Sequence, residues 1–572
     1  MSKKMSGIGA SNGISIAKVY ILDEQPIKIS KEIPKNIESE LTLITSSIVK
    51  AKTDLENLQV IAKEKLGEEK AAIFEAHASI LEDPAMAEEF TALVKEKNYN
   101  AARAIKEVAD KYMSMFEAMD DDYFKERAAD IKDVTERLIR YVLNIPLADL
   151  ATINEEVIIV AEDLTPSQTA QLNPKFVKGF ACNIGGRTSH AAIMARSLEI
   201  PAVLGLKTIL HDVKDKDVLA MNGETGDVEI NPSDKNKWKK LAENFEKEKE
   251  ELKKLKDKPT LTKDGFDGFV LEGNIGSPKD VESVLENGGE GIGLFRSEFL
   301  YMDNDHFPTE EEQFISYKKV VEEMKGKITI IRTLDIGGDK KLSYFSFPHE
   351  MNPFLGYRAI RFTLDRKDIF RDQIRALLRA SAFGPVGIMF PMIATIDEFL
   401  AAKKFTLECK AELTKEGHKV GKDLQIGMMV EIPAAAVNAD NFAKHADFFS
   451  VGTNDLIQYT MAADRMSENV TYLYQPYNPS ILRLLKMTID GAHKHGKWAG
   501  MCGEMAGEPD ALPLLMGLGL DAYSMSATSI LKARSIMSKL TLKETQQLAT
   551  KALECENSDQ VLKLVKAVMK DK

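Results

Sequence analysis

Apolar residues at Ile37, Leu41, Ile44, Ile48, Ala51, Leu55 and Leu58 recur at alternating intervals of four and three. That is the seam of a long amphipathic helix, not of a strand. The same texture, rich in Ala, Glu, Lys and Met, runs to about residue 143 and is broken at Asp83-Pro84. A helical insert is therefore expected over residues 23–144. On one side of it, Ile14, Ile16, Val19 and Ile21 alternate loosely and predict a short β-element within 1–22. On the other side, short apolar runs end in turn residues (VIIVAEDLTP, GFACNIGG, AVLGL, DVLAMNGETG), the pattern of buried strands in an α/β domain over 145–232. Residues 234–258 are almost wholly charged, yet Trp238, Leu241, Phe245, Leu252 and Leu255 keep helical spacing, so 233–259 reads as an exposed linker helix.

From residue 260 to 572 the pattern changes again. Eight apolar runs, at 269–274, 291–296, 328–333, 386–391, 426–431, 448–453, 498–502 and 518–523, are separated by helical stretches. Strands alternating with helices pair in parallel, and eight such units predict a (β/α)8 barrel of the TIM type. Polar residues fall at the C-terminal ends of the runs: Asn274, Arg296, Arg332, Glu431, Asn454 with Asp455, and Cys502. Those ends form the face on which such barrels build active sites.

Hydrophobic residues make up 44% and charged residues 29% of the 572, the balance of a globular chain and not of a disordered or fibrous one. The 76 Lys and Arg against 88 Asp and Glu give a net charge of −12, which argues against nucleic acid as the main partner. No apolar stretch is long enough to span a bilayer, and the N-terminal residues lack the apolar core of a secretion signal. Cys182, Cys409, Cys502 and Cys555 are widely spaced, as expected of reduced thiols in the cytoplasm. Residues 55–130 hold 18 acidic and 10 basic groups, including Asp120-Asp121-Asp122. That surface is either a solvated bundle face or a platform for a basic partner.

Arginine forks match carboxylate and phosphate oxygens, so Arg296, Arg332, Arg358 and Arg465 near one barrel mouth imply a multiply anionic small ligand. Glu431 and Asp455 end consecutive strands. Their carboxylates suit Mg2+ completed by ligand oxygens and water, or else a general acid/base pair. Cys502 is either a small buried residue or a thiol placed to donate a proton. In GGRTSHAAIMAR (185–196) a strand runs into two glycines and His190 then opens a helix. Free N–H groups there favour negative charge, so His190 suits a nucleophile that accepts a phosphoryl group.

GGRTSHAAIMAR and DFFSVGTNDLIQY (447–459), with GLFRSEFLYM, RTLDIGGDK, NPFLGYRAIR and MCGEMAG, resemble segments of enzyme I of the bacterial sugar phosphotransferase system, the phosphoenolpyruvate–protein phosphotransferases. The likeness spans essentially the whole chain. The two signatures also occur in pyruvate phosphate dikinase and phosphoenolpyruvate synthase, but those carry a large nucleotide-binding domain where this chain has about 145 mostly helical residues. The resemblance implies a swivelling phosphohistidine domain (1–22 and 145–232), a helical domain (23–144) that docks the phosphocarrier protein HPr, and a barrel (260–572) that binds phosphoenolpyruvate and forms a homodimer. It implies that Arg296, Arg332, Arg358, Arg465 and Asn454 hold the substrate, that Glu431 and Asp455 hold Mg2+, that His190 takes the phosphoryl group, and that Cys502 protonates the enolate to pyruvate. Two other readings are an ATP- or pyrophosphate-linked, pyruvate kinase-type enzyme and a non-catalytic scaffold. The chain has no Gly-rich nucleotide loop for the first, and the intact His190, Glu431, Asp455 and Cys502 weigh against the second.

Overall fold

The computed structural model describes residues 2–22, 27–66, 68–117, 122–147, 150–186, 189–302, 304–338, 340, 342–465, 467–570 and 572. The chain divides into two compact units, Met1–Glu248 and Lys249–Lys572.

In the first unit, β1 (Lys3–Ser6), β2 (Ile8–Ser11) and β3 (Ile14–Ile21) precede five helices: α1 (Ile37–Leu66), α2 (Glu68–Leu81), α3 (Pro84–Lys97), α4 (Ala101–Glu117) and α5 (Asp122–Val142). The predicted seam of α1 is the one it buries. Ala51 and Leu55 are fully enclosed, and Ile44 and Leu58 nearly so, against Phe74, Phe90, Ile105 and Leu138 from the other four helices. Asp83 caps α3, its carboxylate accepting the N–H groups of Ala85 and Met86 ahead of the N1 proline, which explains the break at Asp83-Pro84. Asp120 and Asp121 lie outside the described residues.

After the bundle come β4 (Val157–Ala161), α6 (Pro166–Thr169), β5 (Val177–Cys182), α7 (His190–Ser197), β6 (Ala202–Leu204), α8 (Ile209–Asp212), β7 (Val218–Asn222) and β8 (Asp227–Ile230). The eight strands form one sheet in the order β1-β8-β7-β3-β4-β5-β6-β2. Strands β3 to β6 run parallel, and the flanks are antiparallel. Every residue of β4 is buried because both faces of the sheet are covered, which is why VIIVA reads as an unbroken apolar run. Ile159 and Phe180 pack with Ala191, Ala192 and Ala195 of α7, whereas Ile158 and Val160 pack with Ile209 of α8. Where the sequence predicts one β-element before residue 22, the chain makes three strands, two of them at the sheet's edges.

Helix α9 (Lys235–Lys253) has no buried residue, as its charge predicts. Its half-buried Trp238 donates to Glu229 Oε2 at 3.0 Å. Beyond it, the buried Arg534 donates to the carbonyls of Leu255 (3.1 Å), Lys256 (3.2 Å) and Gly288 (2.6 Å), satisfying groups a helix end leaves open.

The second unit is a closed parallel barrel of β9 (Val270–Ile275), β10 (Gly291–Arg296), β11 (Thr329–Arg332), β12 (Val386–Phe390), β13 (Gln425–Val430), β14 (Phe448–Val451), β15 (Trp498–Met501) and β16 (Ala522–Met525). Seven strands fall within one or two residues of the predicted runs. The eighth strand starts later than the apolar run at 518–523: Leu518 ends the helix Leu512–Leu518, Gly519 at φ 93° stops that helix, and the strand starts only at Ala522. An apolar helix end and an apolar strand start merge there into one stretch.

Candidate active site

The expected polar residues stand at the C-terminal ends of the barrel strands. Arg296 and Arg332 are the last residues of β10 and β11. Glu431 follows β13 and Cys502 follows β15. Asn454 and Asp455 occupy the first turn of the helix Thr453–Met461, directly after β14. Arg358 reaches in from the loop ahead of the helix Ile360–Asp365, and Arg465 lies in the turn after Met461. Asn274, at the end of β9, donates to the Cys502 carbonyl at 3.1 Å and accepts from Ser524 Oγ at 2.6 Å, tying β9 to the ends of β15 and β16. A cleft of ≈ 490 Å³ opens at this face, lined among others by Asn274, Arg296, Glu504 and Met525.

The four arginines are not equivalent. Arg332 and Arg358 are only 6% and 2% exposed, and both are tied to buried carboxylates. Arg332 Nη2 bonds Glu298 Oε1, and its Nη1 stands 3.2 Å from Asp335 Oδ2. Arg358 Nη2 donates to Asp335 Oδ1 at 2.9 Å and lies 3.5 Å from Asp455 Oδ2. Lys340 Nζ bridges Glu298 Oε1 and Asp335 Oδ2, at 2.8 Å from each. The Arg296 guanidinium instead makes no hydrogen bond or ion pair among the described residues, and it lines the cleft. Arg465 is half-buried, its backbone N–H held by Gln458 Oε1 at 3.0 Å. Asn454 Oδ1 accepts from Tyr474 OH at 2.9 Å, which fixes the orientation of its amide.

Among the described residues, several atoms at this mouth are buried without a partner: Nε of both Arg332 and Arg358, Glu298 Oε2 and Asp455 Oδ1. Native interiors satisfy such groups almost completely, so a cluster of exceptions at a barrel mouth marks a ligand position. Two non-glycine residues with positive φ border it, Ala359 at 52° beside Arg358 and Met392 at 54°. Strain of this kind costs roughly 1–3 kcal/mol and persists where surrounding structure enforces it. At Met392 it accompanies a 2.6 Å bond from the backbone N–H to Glu431 Oε1.

Glu431 and Asp455 fit a divalent cation. Burial, and then the charge of Asp455, pushes Glu431 up to about 7, the sign of neighbouring carboxylates short of positive charge. Asp455 Oδ1 has no partner among the described residues, and both groups are hard oxygen donors of the kind Mg2+ takes. Among the described residues no third Asp, Glu, His or Cys joins them as a metal ligand, so substrate oxygens and water would complete the shell.

Cys502 is 5% exposed, and burial pushes its thiol above the usual range, which keeps the proton on sulfur. The turn that carries it needs Gly503. A Cβ there would lie 1.8 Å from Thr453 Oγ1, so glycine alone lets this loop rest on the turn holding Asn454 and Asp455.

In the first unit, His190 is the first residue of α7. Arg187, Thr188 and the side chain of His190 lie outside what the structure describes. Around them, Gly185 takes φ 107°, Ser189 Oγ donates to Gly186 O at 2.9 Å, and the same oxygen accepts the Ala192 N–H at 3.4 Å as the helix cap. Arg196, two turns on, donates to the Ala10 carbonyl at 2.9 Å and so ties α7 to β2.

A barrel mouth that collects cations, a carboxylate pair and a thiol, in a chain that also carries an α/β domain interrupted by a helical bundle, defines the class of PEP-utilising enzymes. Family models of that class match three segments: the N-terminal domain over 6–127, the mobile domain over 153–226 and the PEP-binding domain over 249–542. The phosphoenolpyruvate-protein phosphotransferase of Mycoplasma capricolum subsp. capricolum is 61% identical over 567 residues, 99% of each chain. That of Staphylococcus carnosus is 53% identical over 573 residues, 100% of each chain. A solution structure of an Enzyme I protein (nEIt) aligns with 42% of this chain and 99% of its own at 37% identity, with a TM-score of 0.39. The chain belongs to the phosphoenolpyruvate-protein phosphotransferase family and is an enzyme of PEP-dependent phosphotransfer.

Glu298, Asp335 and Lys340 are absent from the residues singled out in the sequence. Their signal was present, because GLFRSEF contains Glu298 and RTLDIGGDK contains Asp335 and Lys340. An acidic residue two or three positions after an arginine reads as surface unless its burial is known.

Proposed function

We propose that this enzyme transfers the phosphoryl group of phosphoenolpyruvate to His190, releases pyruvate, and passes the group on to a histidine of the phosphocarrier protein HPr, the first step of sugar uptake by the phosphotransferase system. The observation that carries this reading is the convergence, at one barrel face, of the Arg296 guanidinium with atoms of Arg332, Arg358 and Asp455 that have no partner among the described residues.

In this reading Arg296 clamps the substrate bidentately, while Arg332, Arg358 and Arg465 supply fixed positive charge to its phosphate and carboxylate and Asn454 adds a donor. Glu431 and Asp455 hold Mg2+, which neutralises charge on the transferring group. The enolate left behind takes a proton from Cys502, whose buried thiol is kept protonated. His190 collects the phosphoryl group in line and then delivers it elsewhere, so the histidine domain swivels, with α9 and the junctions near residues 22 and 145 as hinges. The acidic helical insert receives HPr, the barrel pairs two chains in a homodimer, and the protein works in the cytoplasm. Among the described residues no helix is long and apolar enough to cross a membrane.

Incubation with Mg2+ and radiolabelled phosphoenolpyruvate tests the first half. Acid-labile, alkali-stable label on the wild-type chain, none on His190→Ala, and loss of label to added HPr are expected. Label that persists on His190→Ala would overturn the assignment.

A further inference from the structure

Beneath the arginines lies a second layer of charge for which the reaction as proposed has no use. Glu298 and Asp335 are each about 1% exposed, and their oxygens meet three cations. Glu298 Oε1 takes Arg332 and Lys340, Asp335 Oδ2 takes Arg332 and Lys340, and Asp335 Oδ1 takes Arg358. Burial alone would raise both carboxyls, yet the surrounding cations hold Glu298 below the usual range and Asp335 well below it, so both stay ionised. Of the five side chains only Lys340 has appreciable exposure, 22%, and its backbone exchanges two hydrogen bonds with that of Gly337, where Gly337 and Gly338 have φ of 103° and 69°.

These bonds use both terminal nitrogens of Arg332 and one of Arg358, and leave the Nε of each buried and, among the described residues, without a partner. A guanidinium is planar and rigid, so fixing its terminal nitrogens fixes the direction of its Nε–H. We infer that Glu298 and Asp335, bridged by Lys340, are positioning residues that pre-set Arg332 and Arg358, so that both meet the developing charge on the transferring group without reorienting. The inference rests on the reading of Arg332 and Arg358 as substrate-binding groups.

Pre-orientation and plain counter-charge predict different kinetics. Glu298→Gln keeps the shape and removes one negative charge. A mere counter-charge, once deleted, would leave the mouth more positive and lower KM for phosphoenolpyruvate at unchanged kcat. Loss of orientation instead lowers kcat, by about tenfold or more, with KM unchanged within about twofold. The test is a double-mutant cycle on the full chain with Mg2+, read by pyruvate release. E298Q is expected to lower kcat in the wild-type background and to change it less than about twofold in an Arg332→Met background, because it acts through that arginine. A loss of equal size in both backgrounds, or a fall in KM alone, overturns the inference. Full activity of Arg332→Met would overturn the role of Arg332 itself, whereas loss there with none in E298Q overturns only the inference. Should the E298Q chain not fold, Asp335→Asn is scored the same way against Arg358→Met.

Discussion

Two glutamates of the barrel, almost equally buried, are held in opposite states. Glu298 at the mouth is 1% exposed and Glu272 in the barrel interior is 3% exposed. Glu298 has Arg332 and Lys340 on one oxygen and stays ionised in spite of its burial. Glu272, on β9, forms no ion pair among the described residues; burial, and then the charge of Glu290, pushes it up to about 8, so near neutral pH it carries its proton. Burial therefore does not decide the charge of a carboxyl in this protein. The presence of a fixed cation does, and the mouth is where the chain concentrates cations. The interior glutamate packs as a neutral group in the strand wall, within the space that Gly291 and Gly293 of β10 leave open.

The sharpest way to break this contrast is to remove a cation from the mouth. Arg358→Met leaves Asp335 and Asp455 short of their partner, and is expected to cost the barrel unit about 3 kcal/mol or more. The same change should lower kcat/KM on the order of a thousandfold. Chemical denaturation followed by a barrel-specific probe, together with pyruvate release, checks both; unchanged stability would mean that Arg358 is not what compensates these carboxylates. Gly503→Ala comes next. Its methyl group has no room against Thr453, so the Cys502 loop must lift from the Asn454–Asp455 turn, and a roughly ten- to hundredfold loss of kcat is expected from the misplacement. Activity within twofold of wild type would show that this close approach does not position the thiol.

A smaller effect, with a sign set by pH, belongs to Glu272. Its folded value of about 8 lies above the ordinary ~4.3 of an unfolded glutamate. Its contribution is thus fully present below that unfolded value and is lost as pH rises through about 8, where the folded chain must ionise a buried group. Glu272→Gln, neutral at every pH, should raise the melting temperature relative to wild type increasingly from pH 5 to about pH 8, levelling off above it at several degrees. A constant offset across that range would contradict a protonated Glu272. The smallest effect is expected where both partners meet water: Lys106 and Asp110 pair along α4 with side chains about half exposed. Lys106→Gln should change stability by less than about 0.5 kcal/mol, and a larger loss would blur the distinction between mouth and surface.

Much of this architecture is legible in the sequence because parallel barrels impose a simple grammar. An apolar run is a strand, and the first polar residue after it faces the site. Arg296, Arg332, Glu431 and Cys502 follow that grammar directly, and Asn454 with Asp455 only one turn later. The eighth strand escaped it because helix end and strand start are both apolar, and only the left-handed Gly519 between them marks the boundary. The layer of Glu298, Asp335 and Lys340 escaped for another reason. Which acidic residue is buried beneath an arginine depends on how the β10 and β11 loops fold over each other, and no local pattern encodes that. Nor does composition show that, among the described residues, Arg332 and Arg358 are already engaged while the Arg296 guanidinium is not; four arginines near one mouth look alike until their partners are known.

The central claim is that this mouth drives the phosphoryl group of phosphoenolpyruvate onto His190. Phosphorus NMR of the full-length chain with Mg2+ and excess phosphoenolpyruvate tests it most directly. The account predicts a protein-bound phosphoramidate resonance that grows as pyruvate appears, approaches one per chain, and is absent in His190→Ala. Pyruvate release accompanied only by inorganic phosphate, or a phosphoramidate that survives in His190→Ala, would contradict it.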